Sequence, residues 1–352
     1  MKAVVLVGGF GTRLRPLTLD TPKQMLPVAH RPMIEWVVEH LARHEVDEVV
    51  LSLGFRPDHF ISAYPDGTCC GISLSYAVEP TPLDTAGAIR FAATEAGIDE
   101  RFLVVNGDVL TDADLSRLVD FHRRSGGLAT ISLTPVEDPS RYGVVVTDDR
   151  GKVLAFIEKP PAAEAPSNWI NAGTYVVEPE FLERIPADRP CSVERETFPR
   201  MVEEGLLFAL GDRSYWIDAG TPQTYVTAQL DLVGGRRGDR GLEWVAPDAV
   251  VDATAELDRA VVCSGAVVGA GSRLTECVVL PGARIGSGCS IRQSVVGPMA
   301  EVGDGTELDA WTVVGPHVRV EANSRLVGVR IPDPERSGKG SRESISEPEP
   351  SR

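Results

Sequence analysis

Along the first third of the chain, short apolar runs alternate with stretches whose apolar residues recur at helical spacing. Residues 3–7 (AVVLV) form a continuous apolar run, which suits a strand buried on both faces. Pro32 is placed to open a helix, and Ile34, Val37, Val38 and Leu41 then share one face at i, i+3, i+4 and i+7. Residues 48–53 predict a second strand, 58–63 a short helix, and 72–78 a strand in which Ile72, Leu74 and Tyr76 alternate with serines. A helix is predicted over 85–96 and a buried strand over 102–105, and Asp112 is the expected cap of a helix carrying Leu115, Leu118 and Val119. Strands alternating with helices predict a parallel sheet with right-handed crossovers, whose ligand lies outside the carboxyl ends of the strands.

From residue 128 the period changes. Strands are predicted at 128–134, 142–147 and 153–158 with no helix between them, and DDRG at 148–151 suits a hairpin turn. This reads as an antiparallel insertion covering one end of the sheet. PPAAEAPS at 160–167 predicts a mobile loop; helical segments follow near 194–204 and 222–232, with a strand at 206–210. GGRRGDRG at 234–241 has the composition of a linker.

Beyond the linker aliphatic residues recur every six positions: Val245, Val251 and Leu257; Val262, Val268, Leu274 and Leu280; Ile285 and Ile291; Val302, Leu308, Val314, Val320 and Leu326. The register slips by one or two between these series. A six-residue period is neither helical nor that of a single strand. It suits a β-solenoid in which one aliphatic per short strand points inward and stacks on the coil below. After Ile331 the chain is nearly devoid of apolar residues, and disorder is expected there. The domain expectation is an α/β domain over 1–232, a linker over 233–244, a solenoid over 245–330 and a tail over 331–352.

Composition narrows the function. The 352 residues carry Lys+Arg 35 against Asp+Glu 51, a formal charge of −16. That excludes a general nucleic-acid binder and a protein drawn to anionic membranes, both of which need a basic surface. Only five of the basic residues are lysines: Lys2, Lys23, Lys152, Lys159 and Lys339. The first apolar run is too short for a secretory leader, and no stretch reaches the ~20 apolar residues of a membrane span. Six cysteines form no CxxC pair and no Cys/His ligand cluster, so reduced thiols in the cytoplasm are expected.

The candidate chemistry begins after the first strand. Gly8-Gly9-Phe10-Gly11-Thr12-Arg13-Leu14-Arg15 lacks the Gly-Lys-Ser/Thr of a Walker A loop and the third glycine of a Rossmann fingerprint. Its glycines still allow backbone N–H groups to face an anion, and two arginines follow at once. In Thr21-Pro22-Lys23-Gln24-Met25-Leu26-Pro27, two prolines stiffen the chain around one lysine.

GGFGTRLRPLT followed by TPKQMLP resembles the signature of the nucleoside-diphosphate-sugar pyrophosphorylases, the sugar-1-phosphate nucleotidyltransferases. The resemblance continues in order through Glu79-Pro80 with Leu83-Asp84-Thr85-Ala86-Gly87, Asn106-Gly107-Asp108, Tyr142-Gly143, Phe156-Ile157-Glu158-Lys159-Pro160, Asn171-Ala172-Gly173 and Trp216-Ile217-Asp218-Ala219-Gly220. SVERETFPRMVEEG at 192–205 and YWIDAGTPQTY at 215–225 resemble the mannose-1-phosphate guanylyltransferase branch most. The resemblance implies a Rossmann-like mixed sheet with helices on both faces, followed by a left-handed parallel β-helix of hexapeptide repeats. It implies transfer of a nucleotidyl group from an NTP, favouring GTP, to a sugar 1-phosphate, favouring mannose 1-phosphate, with Mg²⁺ as cofactor.

The implied roles fall on matching positions. Leu6, Gly8, Gly9, Gly11, Thr12, Arg13, Lys23, Glu79, Asp84, Thr85, Gly87 and Asp108 would bind the nucleotide. Gly143, Glu158, Lys159, Asn171 and Gly173 would bind the sugar phosphate. Arg13, Lys23, Asp108, Lys159 and Asp218 would be catalytic, with Asp108 and Asp218 holding the metal. The nucleophile is already a phosphate oxygen, so catalysis is positioning and charge neutralisation, and the lack of a Ser/His/Asp or Cys/His arrangement fits. Asp84 stands where family members often have Gly; it either accepts hydrogen bonds from the base or faces solvent. Alternatives are a glucose-1-phosphate uridylyl- or thymidylyltransferase, a non-catalytic nucleotide-sugar-binding paralogue, and an acyltransferase in the repeats. The last needs a His base, and His317, alone in that region, reads as a coil-turn residue. The flat solenoid faces, or the catalytic domain, predict a homo-oligomer.

Overall fold

The apolar run near the N-terminus becomes the central strand β1 (Lys2–Leu6), whose Ala3, Val4 and Val5 are buried. The computed structural model describes residues 1–238 and 241–333. These divide into two units: Met1–Gly11 with Asp20–Gly220, and Thr12–Leu19 with the chain from Thr221 on. The segment Thr12–Leu19 and the helix that follows Thr221 are thus grouped with the repeats rather than with the sheet.

In the first unit, α1 (Met33–Ala42), β2 (Glu48–Leu53), α2 (Pro57–Ala63), β3 (Thr68–Cys69), β4 (Ile72–Val78), α3 (Asp84–Glu95) and β5 (Phe102–Asn106) follow the predicted alternation. β1 pairs in parallel with β2 and β5, and β2 with β4. A short strand β6 (Val109–Thr111) precedes α4 (Leu115–Ser125). The α4 cap is Asp114, not Asp112: its side chain accepts the Arg117 amide at 2.9 Å, satisfying an otherwise orphaned N–H of the first turn.

Next come β7 (Ala129–Pro135), β8 (Gly143–Thr147), β9 (Val153–Glu158) and β10 (Trp169–Val177). They do not cover an end of the sheet. β10 pairs antiparallel with β5, so they extend it, giving the order β9-β8-β10-β5-β1-β2-β4-β3. β7 pairs with β10 and, in parallel, with β11 (Leu207–Gly211), which follows α5 (Phe198–Glu204). The nine-residue β10 escapes the sequence reading because Asn171-Ala172-Gly173 interrupts its apolar pattern. Its pairing with β7 shifts register there, and Gly173 has φ 74°. β12 (Trp216–Asp218) pairs antiparallel with β6. Ala129, Ile131, Tyr175, Phe181 and Phe198 belong to the core beneath the sheet, all fully buried.

The second unit holds α6 (Pro222–Val233) and three parallel five-stranded sheets, one per face of a β-helix. Val251, Val268, Ile285, Val302 and Val320 stack on one face and Leu257, Leu274, Ile291, Leu308 and Leu326 on the second. Val262, Val279, Val296 and Val314 stack on the third. Val279, rather than Leu280, holds the inward register, although both are buried. Most coils take 17 residues instead of three full hexapeptides, as the spacing Val251–Val268–Ile285 shows, which is why the six-residue count slips once per turn. His317 adopts φ 60° at the corner held by Gly265, Gly282 and Met299 in earlier coils, so it is a coil-turn residue. On the third face the outward valines Val261, Val278, Val295 and Val313 are also buried, and α6 packs against the first of these strands. At the last turn Gly315 leaves no room for a Cβ, which would lie 3.0 Å from Pro16 of the Thr12–Leu19 segment. The expected tail lies outside the described residues from position 334 on, as do Asp239 and Arg240 of the expected linker.

Candidate active site

The carboxyl ends of β1, β2, β4 and β5 open onto a cavity of about 470 Å³ within the first unit. Its walls include Leu6, Gly8, Gly9, Lys23, Glu79, Asp84, Thr85 and Asp108 among the expected nucleotide residues. The loop after β1 reaches this position because two backbones meet without side chains. A Cβ on Gly54 would stand 3.0 Å from the Gly8 carbonyl oxygen, and one on Gly8 would stand 3.1 Å from Glu79 Oε1. Glu79 joins the strands beneath: it accepts the Ser52 hydroxyl at 3.1 Å and the Leu83 amide at 3.1 Å. Burial raises its carboxyl pKa, against the pull of those two hydrogen bonds.

Lys23 lies on a 3₁₀ turn, Lys23–Met25, between the two prolines, with only 8% of its surface exposed. Its ammonium is paired with the Asp108 carboxylate. Asp108 is held there by the turn before it: Gly107 donates to the Leu6 carbonyl at 3.0 Å, and a Cβ on Gly107 would strike Val7 at 2.6 Å. A buried lysine so paired is a fixed positive charge beside a fixed carboxylate, pre-positioned for a polyphosphate.

Asp218 sits opposite Val109 across the β6–β12 pair, and the Ala219 amide donates to the Asp108 carbonyl at 3.1 Å. Asp108, in the turn before β6, therefore stands beside β12, whose Asp218 is not among the cavity's walls. Among the described residues no group of three or more His, Cys, Asp or Glu side chains could hold a metal alone. A pair of carboxylates fits a hard cation that takes its other ligands from water and phosphate. Trp216, on the same strand as Asp218, donates its ring N–H to the Ala172 carbonyl at 2.9 Å and stacks edge-on against Tyr142. This ties Asp218 to the strand that carries Asn171.

The expected sugar residues lie on or beside the neighbouring strands β8, β9 and β10, and none of them is among the cavity's walls. Gly143 pairs with Glu158 across β8–β9, and a Cβ on Gly143 would meet Glu158 Oε2 at 3.1 Å. Lys159, at φ 49°, is exposed and paired with Glu158 at 2.7 Å. Asn171 donates to the Tyr175 hydroxyl at 2.9 Å and accepts the Gly173 amide at 3.0 Å. Gly173 is forced by its left-handed φ and by Asn106, whose Nδ2 lies 2.6 Å from where a Cβ would be.

Other expected residues are not brought to the cavity. Gly87 is a buried residue of α3 whose amide donates to the Cys191 carbonyl at 3.2 Å, so it serves packing. Gly11, Thr12 and Arg13 are outside the cavity's walls, and Thr12 and Arg13 belong to the second unit. Asp84 is an exposed wall residue with φ 60°, a left-handed conformation that favours Gly, and its side chain accepts the Thr85 amide at 2.8 Å. Among the wall residues not expected at the site are Gln24, Asn106 and Gly54. Gln24 is buried, and its Oε1 accepts no hydrogen bond among the described residues. Its place beside Lys23 between two prolines was the available signal.

The family model for nucleotidyl transferases matches residues 2–234, and that for the GMPPB C-terminal domain matches 241–344. The chain belongs to the nucleotidyl transferase family. A mannose-1-phosphate guanylyltransferase of Mycobacterium tuberculosis is 42% identical over 263 residues, 72% of each chain. The catalytic subunit beta of the Dictyostelium discoideum mannose-1-phosphate guanylyltransferase is 42% identical over 64% of this chain and 63% of its own length. Among solved structures, HddC from Yersinia pseudotuberculosis complexed with GMP-PN matches 65% of this chain and 97% of its own, with TM-score 0.56 and 29% identity. No helix among the described residues is long and apolar enough to cross a membrane.

Proposed function

We propose that this enzyme transfers a guanylyl group from GTP to mannose 1-phosphate, giving GDP-mannose and pyrophosphate. The observation that carries this reading is the buried Lys23–Asp108 pair at the wall of a cavity opened by Gly8 and Gly54. In-line attack by the sugar phosphate oxygen on the α-phosphate builds negative charge on the departing pyrophosphate. Lys23 would meet that charge as a fixed cation, and Arg13 would share the task from its place after the glycine loop. Asp108 and Asp218 would hold Mg²⁺, which when bound neutralises phosphate oxygens and orients them. Glu158 would accept hexose hydroxyls, with Lys159 on the sugar phosphate and Asn171, Gly143 and Gly173 shaping the pocket. The identity of the relatives supports guanine and mannose over uracil or thymine and glucose. The six cysteines are free thiols, which supports a reducing, cytoplasmic setting. The flat solenoid faces support self-association, with no role for nucleic acid or membrane.

The test is pyrophosphate release by the full chain with GTP, UTP, dTTP and ATP, each crossed with mannose and glucose 1-phosphates. GTP with mannose 1-phosphate should give the highest kcat/KM. Preference for UTP or dTTP with glucose 1-phosphate would replace the reading, and no turnover with any pair would favour a non-catalytic nucleotide-sugar binder.

A further inference from the structure

Against α3, which carries the wall residue Thr85, lies a segment to which no role has been given. The π-turn Val193–Thr197 runs into α5 and packs against both α3 and β9, the elements that carry Thr85 and Glu158. Such a turn, rare in proteins, is common at functional sites. Here it closes the first turn of α3. The amides of Ala86 and Gly87 donate to the Cys191 carbonyl at 2.9 and 3.2 Å, and the Cys191 amide donates back to the Leu83 carbonyl at 3.0 Å. Thr85 Oγ1 accepts the Val193 amide at 2.8 Å and donates its proton to Glu194 Oε2 at 2.7 Å. The same carboxylate oxygen accepts the Ser192 hydroxyl at 2.8 Å.

Two consequences follow for the site. The Thr85 hydroxyl has one proton, and Glu194 takes it, so Thr85 offers a ligand no hydroxyl donor. The first-turn amides of α3 are likewise engaged, by Asp84 and Cys191. The nucleotide-side wall is therefore fixed from behind, and its position depends on what holds Thr85. The same π-turn packs against β9, which carries Glu158 on the sugar side.

We propose that Glu194 is a positioning residue: through Thr85 it locks the turn Leu83–Gly87 to the π-turn and so fixes the nucleotide-side wall relative to the hexose-side residues Glu158 and Asn171. This rests on the nucleotidyl-transfer reading of the cavity. A charge-assisted hydrogen bond made inside the protein is lost at a cost of about tenfold or more in the equilibrium it supports. Because the bond serves the nucleotide wall, the loss should fall on nucleotide binding rather than on the chemical step.

The test uses the full chain and two readouts. Glu194→Ala and Thr85→Val should each raise the KM for the nucleotide about tenfold, leave kcat and the KM for the sugar phosphate within about twofold, and combine in the double variant with no further loss. Glu194→Gln, which keeps an acceptor for Thr85, should restore most of the nucleotide KM, as should Thr85→Ser. In parallel, amide hydrogen exchange at Ala86, Gly87 and Val193 should quicken in Glu194→Ala and return toward normal in Glu194→Gln. An unchanged nucleotide KM in Glu194→Ala overturns the proposal, as does a fall in kcat that glutamine fails to rescue. If the unaltered chain turns over no substrate pair, the functional reading fails on its own. Exchange then decides the clamp: quickened amides support it, and unchanged amides overturn it.

Discussion

The ion pairs of the two units are built differently. In the first unit, Lys23 and Asp108 have side chains 9% and 19% exposed, and they stand at the mouth of a cavity. On the β-helix, Arg292–Asp309, Arg273–Glu256 and Arg325–Glu307 join successive coils on the outside, with the arginines 62% to 79% exposed. A charge held away from water keeps its field and must be matched by a partner or a ligand, whereas an exposed pair is screened. The cavity wall itself carries Glu79, Asp84 and Asp108 beside the buried Lys23, so a polyphosphate assigned there needs Lys23 and a cation placed between the carboxylates and the phosphates.

The largest expected effect is on that buried pair. Lys23→Ala should lower kcat by about a hundredfold or more, the usual loss for one pre-positioned electrostatic group, while the far-ultraviolet circular dichroism stays that of the folded chain. A variant that keeps near-normal turnover would place the inward charge outside the mechanism.

Next is the apolar ladder inside the coils. Ile291 stacks between Leu274 and Leu308 and is fully buried, so Ile291→Ala should destabilise the chain by about 2–5 kcal/mol in a denaturant titration. Loss of stability much below that range would mean that the coils relax around the cavity.

The smallest effect is on the outward ladder. Arg292→Ala removes a bidentate pair with Asp309 on the solvated face, and neither the melting temperature nor kcat should change measurably. A clear loss would mean that the outer charges act as a network, which would blur the contrast between the units.

The same contrast explains what was legible in the sequence. The repeats announce themselves because every coil solves the same packing problem, so Val302, Leu308, Val314 and Val320 fall six apart by arithmetic alone. Leu280 was misplaced because the coil is one residue short of three hexapeptides, a fact that only the strand register reveals. In the first unit no element repeats, and each strand was read from its own pattern. β10 was lost because the Asn171–Gly173 bend that serves the candidate sugar site also breaks its apolar run. Lys23 and Asp108, which the structure brings to the cavity wall, were legible because their flanking motifs are local. Gln24, Asn106 and Gly54 were missed because their roles depend on neighbours far away in sequence: the cavity wall, the Gly173 backbone and the Gly8 carbonyl. Glu194 was missed for the same reason, since Thr85 lies more than a hundred residues before it.

The most direct test of the central claim is phosphorus NMR of GTP and mannose 1-phosphate incubated with the full chain and Mg²⁺. Attack at the α-phosphate predicts pyrophosphate and a sugar-linked diphosphate appearing in equal amounts as both substrates decline. Release of inorganic phosphate without the sugar diphosphate, or unchanged spectra, would contradict it.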